Sequence, residues 1–138
     1  GLIGGQSNSI KPKKRMLSSM TPTLVEKNGK LFLVLGTPGG STIITSVFQT
    51  ILNAYEYEMG IQESIDSPRF HHQWVPDSVR FEPNFKNISE LKILKSIGHQ
   101  FDLQKSKKIG RVDAIMVDRN GNISVGADNR GDDFAETY

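Results

Sequence analysis

Asn28-Gly29 restricts the fold of this chain more than any other pair of residues. It stands between Thr23-Leu24-Val25-Glu26 and Leu31-Phe32-Leu33-Val34-Leu35, and it supplies the two positive φ angles of a two-residue turn. The flanking runs therefore form an antiparallel hairpin. Closing that hairpin brings Leu17-Ser18-Ser19-Met20-Thr21-Pro22, which precedes it, to Gly36-Thr37-Pro38-Gly39-Gly40-Ser41, which follows it. Two polar turns then meet at one sheet edge. The second run is apolar at every position instead of alternating, which predicts a mid-sheet strand covered on both faces.

Each turn carries chemistry with two readings. Ser18 and Ser19 lack a neighbouring histidine and do not lie in a glycine-serine-glycine elbow, so they are poor nucleophiles. As hydrogen-bond donors they suit a carboxylate, and equally they can cap a turn before Thr21-Pro22. Gly36-x-x-Gly39-Gly40-Ser41 lacks the lysine of a phosphate loop and the spacing of a dinucleotide fingerprint. Its consecutive amides at a strand-to-helix corner form a geometry that stabilises a developing oxyanion. The alternative is a tight turn in which glycine only avoids a clash.

Past Gly40, Ser41 is placed to cap a helix whose Ile43, Ile44, Val47, Phe48, Ile51, Leu52 and Tyr55 recur along one face. A short helix is predicted over Ile61 to Ile65, ended by Pro68. Arg69 to Trp74 and Ser78 to Phe81 then read as extended segments around a Pro76-Asp77 turn, with Phe70, Trp74 and Phe81 filling the core. Asn87 or Ser89 can cap a helix carrying Leu91, Leu94 and Ile97, with Gly98 as its stop. Val112 to Val117 and Ile123 to Ala127 flank Asn120-Gly121 as a second hairpin. Residues 1–16 are polar, rich in glycine and lysine, and read as an extended lead-in. This order predicts antiparallel α+β layers in a single domain spanning residues 1–138.

Composition narrows the function. With 138 residues, 36% of them hydrophobic, the chain can build one core. Its 17 basic and 15 acidic residues nearly balance, which does not imply nucleic acid, and Lys11, Lys13, Lys14 and Arg15 read as a solvated approach to the first strand. No apolar run reaches the roughly 18 to 20 residues of a membrane span. With no cysteine, a cysteine nucleophile and thiolate metal sites are excluded. His71 and His72 are adjacent, and on a strand they point to opposite faces and cannot chelate one ion together. No metal or cofactor is therefore assigned. Arg130-Gly131-Asp132 sits in Asp128-Asn129-Arg130-Gly131-Asp132-Asp133, where a charged turn with internal ion pairing suffices.

Read together, Gly1-Leu2-Ile3-Gly4-Gly5, Arg15-Met16-Leu17-Ser18-Ser19-Met20-Thr21-Pro22-Thr23, Leu35-Gly36-Thr37-Pro38-Gly39-Gly40-Ser41, Pro68-Arg69-Phe70-His71-His72-Gln73-Trp74 and Asp128-Asn129-Arg130 occur in a specific order. In these phrases the chain resembles the C-terminal part of the small subunit of the γ-glutamyltranspeptidases, which are N-terminal-nucleophile hydrolases. The resemblance implies a four-layer αββα sandwich shared between two subunits cut from one self-cleaving precursor. It also implies that a threonine exposed by this cleavage attacks the γ-glutamyl amide of glutathione or a similar donor. The acyl group then passes to water or to the amine of an amino acid or peptide.

Carried onto this sequence, Ser18 and Ser19 match the pair that binds the α-carboxylate of the γ-glutamyl moiety. Gly39 and Gly40 match the oxyanion-hole amides. The resemblance places the nucleophilic threonine upstream of residue 1 and implies an inactive piece when the chain stands alone. The large subunit and the remainder of the small subunit are its implied partners, with periplasmic, secreted or cell-surface placement. A non-catalytic amino-acid-binding or assembly module, or a related acylase or poly-γ-glutamate-processing enzyme, is the alternative.

Overall fold

The computed structural model describes residues 5–16, 20–83, 85, 88–101 and 107–137. Among the described residues there are six strands: β1 (Thr23–Lys27), β2 (Lys30–Gly36), β3 (Phe70–His71), β4 (Arg80–Phe81), β5 (Asp113–Val117) and β6 (Ile123–Gly126). Helices α1 (Ile43–Tyr55), α2 (Ile61–Asp66) and α3 (Ile88–Ser96) lie between them. The main sheet runs in the order β1-β2-β5-β6, every neighbour antiparallel, and β3 pairs with β4 in a small second sheet. This is an α+β arrangement, as the order of elements predicts.

The first hairpin closes as expected, with Asn28 at φ 56° and Gly29 at φ 72°, both in the region that a twisted two-residue turn needs. The register then steps once. Val25 lies opposite Leu33 and Glu26 opposite Leu31, so Phe32 is the extra residue of a bulge. Phe32 and Leu33 consequently both pack on the helical side, where Phe32 meets Tyr55 edge-on with ring centroids 6.0 Å apart. The second hairpin turns more widely. Asn120-Gly121 lies within the loop 118–122, which the Asp118 carboxylate organises by accepting hydrogen bonds from the Asn120 and Asn122 amides, each at 2.8 Å.

Leu33, Leu35, Ile43, Val47, Ala54, Ile61, Ile65, Val112 and Ala114 form the core between the sheet and α1 and α2. Burying one such side chain contributes about 1.5 to 3 kcal/mol, so this layer carries most of the driving force. The other face of the sheet is bare among the described residues. Leu24, Val34, Ile115 and Val125 stand opposite one another in a single cross-strand row there, Leu24 with 71% of its surface exposed. Among the described residues β2 is thus mid-sheet but covered on one face, and the main sheet with α1 and α2 makes one β layer and one α layer.

Three local expectations fail for physical reasons. Ser41 does not cap α1: a 3-10 turn, Gly40–Thr42, leads into the helix, and Ser41 is exposed. The inward face of α1 is not uniformly apolar. Ser46 and Thr50 are fully buried, each hydroxyl donating to the carbonyl four residues back, while Ile44 and Phe48 point outward. These small side chains admit the segment around Gly110, whose Cα would carry a Cβ only 2.5 Å from Ser46 Oγ. Of the three aromatics assigned to the core, Phe81 is buried against Phe85 and Phe101, but Trp74 is 79% exposed and Phe70 is turned outward. The period-2 alternation of β3 gives its inward position to His71.

α3 ends at Ser96, and Gly98, the predicted stop, follows at φ 103°. The described part of the lead-in, residues 5–16, is almost wholly exposed and contains one 3-10 turn, Gln6–Asn8.

Candidate active site at the glycine corner

β2 ends at Gly36, and the chain must turn sharply to enter α1. Thr37 fixes the start of that turn: its Oγ1 accepts the Arg111 N–H at 2.7 Å and donates to the Pro38 carbonyl at 2.7 Å. Gly39 follows at φ 144° and Gly40 at φ 57°. A Cβ on Gly39 would sit 2.5 Å from Thr42 Oγ1, so glycine is required there by space as well as by backbone conformation.

Thr42 grips the Gly39 carbonyl twice, through its N–H at 3.1 Å and its hydroxyl at 3.0 Å. A trans peptide is planar, so holding the Gly39 oxygen on one side directs the Gly40 N–H to the other. Neither the Gly39 nor the Gly40 N–H meets an acceptor among the described residues, and both glycines are exposed. Two adjacent donors without a partner among the described residues therefore stand at the 3-10 turn that leads into α1, and the helix dipole adds its own preference for negative charge.

Gly39 and Gly40 line a groove of about 1090 Å³ that runs over the bare side of the sheet. Val34 and Ile115 line its floor, and Arg111, Asp113, Asp133 and Phe134 stand on its rim. Met20, Thr21 and Pro22 form part of the same wall as Gly36–Gly40, because Thr23 pairs with Leu35. The segment leading out of the serine pair thus reaches the glycine corner as the sequence predicts. Ser18 and Ser19 themselves lie outside the described residues. Burial, reinforced by the charge of Asp133, pushes the Asp113 carboxyl above its ordinary value. Arg111 pairs with Asp133 at 3.0 Å.

Behind the corner lies a buried network that sequence reasoning did not assemble. Arg69 Nη1 donates to Asp128 Oδ2 and to the Ile109 carbonyl, both at 2.8 Å, and Nη2 donates to the Ile65 carbonyl at 2.7 Å. Glu82 accepts from the Arg69 and Ile109 amides and from Arg130 Nε and Nη2. Asp128 accepts from the Val112 and Arg130 amides and from Arg130 Nη1. Burial would raise the Asp128 carboxyl, but these two amides and the Arg69 guanidinium outweigh it and hold the group below the usual carboxylate range. Burial, aided by the charge of Arg130, lowers Arg69.

The network pins residues 109–112, and those residues in turn brace Thr37 and Ser46 from behind. The internal pairing expected for Arg130 is present and extends well beyond its own turn. No signal marked Glu82, which stands 48 residues from Arg130 in sequence.

His71 and His72 diverge: His71, the last residue of β3, is buried, and His72, just past the strand, lies 3.0 Å from Asp77 at the surface. Among the described residues no group of three or more His, Asp or Glu is placed to hold a metal ion, and no helix is long and apolar enough to cross a membrane.

The pattern of the family described as Gamma-glutamyltranspeptidase matches residues 3–138. The chain belongs to the γ-glutamyltranspeptidase family. Its similarity to the glutathione hydrolase proenzyme of Escherichia coli K12 is 43% identity over 139 residues, covering 100% of this chain and 23% of that protein. Against the crystal structure of a γ-glutamyltranspeptidase from Helicobacter pylori the TM-score is 0.81 at 43% identity, over 95% of this chain and 71% of that one. A γ-glutamyltranspeptidase from Pseudomonas nitroreducens gives a TM-score of 0.80 at 34% identity, over 100% of this chain and 71% of that one. The fold is accordingly that of an N-terminal-nucleophile hydrolase, and the chain spans less than a quarter of the length of the E. coli relative.

Proposed function

We propose that the protein carrying this chain cleaves the γ-glutamyl amide of glutathione and related donors and passes the acyl group to water or to an amino acid or peptide. The observation that carries this reading is that the Gly39 and Gly40 N–H groups, on the wall of an open groove, have no partner among the described residues in a chain of this family. A threonine hydroxyl, supplied from outside these 138 residues, adds to the amide carbonyl with its own α-amino group as base. The carbonyl oxygen becomes an oxyanion and accepts the two glycine N–H groups. Collapse of this intermediate expels the amine and leaves a γ-glutamyl ester, which water or a second amine then cleaves.

Ser18 and Ser19 donate to the substrate α-carboxylate in this account. The seating of Met20–Pro22 beside the glycine corner supports it, because it brings the serine pair within one short segment of the oxyanion donors. The E. coli relative is named a proenzyme, which supports self-cleavage of a longer precursor. The large subunit and the rest of the small subunit are then partners of this chain, and the chain alone is inactive. Placement is periplasmic, secreted or at the cell surface, and no cofactor is required.

The experiment is to express the complete parent protein, weigh its products and assay release of amine from a γ-glutamyl anilide. Two chains, the smaller beginning with threonine and containing this sequence, together with turnover, are expected. A single uncut chain that binds glutamate without turnover points instead to a non-catalytic relative. Replacing Ser18 and Ser19 by alanine is expected to raise KM for the donor more than it lowers kcat.

A further inference from the structure

The sequence singles out His71, and the acyl-transfer chemistry does not use it. It is 2% exposed, and both ring nitrogens are engaged: Nδ1 lies 2.8 Å from Thr45 Oγ1 and Nε2 lies 3.0 Å from Gln73 Oε1. The Gln73 amide is oriented by its own Nε2, which donates to the Val75 carbonyl, so it offers an oxygen to His71. His71 Nε2 therefore carries a hydrogen, and the single Thr45 hydroxyl hydrogen is shared between His71 Nδ1 at 2.8 Å and the Thr42 carbonyl at 3.1 Å. A buried histidine held in one tautomer by two partners is a rigid strut.

What this strut holds is the first turn of α1. Thr45 Oγ1 lies 3.1 Å from the Thr42 carbonyl as well as 2.8 Å from His71, and Thr42 is the residue that grips the Gly39 oxygen. An unbroken path leads from Gln73 through His71 and Thr45 to Thr42, and ends on the Gly39-Gly40 peptide. Because that peptide is planar, a displacement of Thr42 re-aims the Gly40 N–H directly. Oxyanion donors act over a narrow range of distance, so an error of a few tenths of an ångström is felt in rate before it is felt in substrate binding.

We propose that His71 is a positioning residue for the oxyanion hole, acting through Thr45 and Thr42 and touching neither substrate nor nucleophile. This rests on the proposed role of Gly39 and Gly40. It also assigns a task to the first histidine of His71-His72 that is neither metal binding nor proton transfer. Nearby Gln49 strengthens the same joint by bonding both the N–H and the carbonyl of Phe70, so β3 is tied to α1 at two successive turns.

The test uses the full-length parent protein and four variants. His71→Asn keeps a polar atom near the position of Nδ1, whereas His71→Gln moves its amide toward the position of Nε2. Thr45→Ser keeps the hydroxyl, whereas Thr45→Val removes it. Losing one net hydrogen bond in the path is expected to lower kcat about tenfold in His71→Gln and Thr45→Val, with KM for the γ-glutamyl donor within about twofold. His71→Asn and Thr45→Ser are expected to recover most of that loss, and His71→Gln combined with Thr45→Val to cost little more than either alone.

A second reading comes from amide hydrogen exchange over residues 37–45, which should quicken in His71→Gln and Thr45→Val and return toward the parent rate in the conservative pair. Unchanged kcat and unchanged exchange would overturn the inference, as would equal losses in all four variants. If the parent shows no γ-glutamyl turnover at all, the proposed function fails. The exchange measurement then still decides whether His71 holds the corner.

Discussion

Two polar regions lie back to back in this molecule and treat their hydrogen-bonding groups in opposite ways. In the network of Arg69, Glu82, Asp128 and Arg130, both carboxylates and both guanidinium groups are buried, and each is joined to several partners. At the glycine corner, two backbone donors at the surface have no partner among the described residues. Buried polar groups are nearly always paired, so the network is what the interior requires, whereas the corner keeps its donors open at the surface, where a ligand can reach them. The two are coupled, because the network fixes residues 109–112 and these brace Thr37 and α1.

The sharpest way to break the comparison is to break the network. Glu82→Gln removes the charge opposite Arg130 and turns an amide toward four donors. It should lower the unfolding free energy of the parent by about 3 to 5 kcal/mol, a large share of the 5 to 15 that typical domains possess. Denaturant titration reads this as a shift in midpoint. A shift below about 1 kcal/mol would mean that the network is not what holds this side of the fold.

Acid titration probes the same region through Asp128. Its carboxyl is held below the ordinary range in the folded chain, so its contribution is fully present above about pH 4 and is lost as the pH falls through its lowered folded value. Asp128→Asn should therefore flatten the acid limb of the stability curve while lowering stability at neutral pH. An acid limb as steep as that of the parent would remove Asp128 from the account. The smallest effect is expected at the far end of the sheet. Gly29 has φ 72° and open space around its missing Cβ, so Gly29→Ala should cost only the backbone strain, about 1 kcal/mol, with turnover unchanged.

How much of this was legible in the sequence follows from the range of the forces involved. The first hairpin, the limits of α2 and the stop at Gly98 are set by turn and breaker residues that act within a few positions, and all three were readable. The facing of α1 was not, because Ser46 and Thr50 satisfy their hydroxyls within the helix and so behave as small core residues. Trp74 was misplaced because a large ring suggests burial, whereas it stands in the loop after β3; Phe70 was misplaced because the two-residue strand β3 has one inward position and His71 takes it.

Gly39 and Gly40 were legible as a strand-to-helix corner that needs glycine, with an anion site and a plain tight turn as its two readings. The ionic network was not, because its members come together only after the chain has closed over separations of up to 65 residues. Family resemblance gave Arg69 and Arg130 as part of a phrase without giving them a task.

The central claim is that the unpaired amides at the corner stabilise the oxyanion. The most direct test is single-turnover acylation of the full-length parent against its Gly39→Ala variant, with the donor dissociation constant and the unfolding midpoint measured on the same samples. The added Cβ, 2.5 Å from Thr42 Oγ1, displaces the Gly39-Gly40 peptide, and the account predicts that the acylation rate falls toward the factor of about 10² to 10³ known for loss of a donor, while donor affinity stays within about twofold and the protein remains folded. An unchanged acylation rate in the folded variant would contradict it.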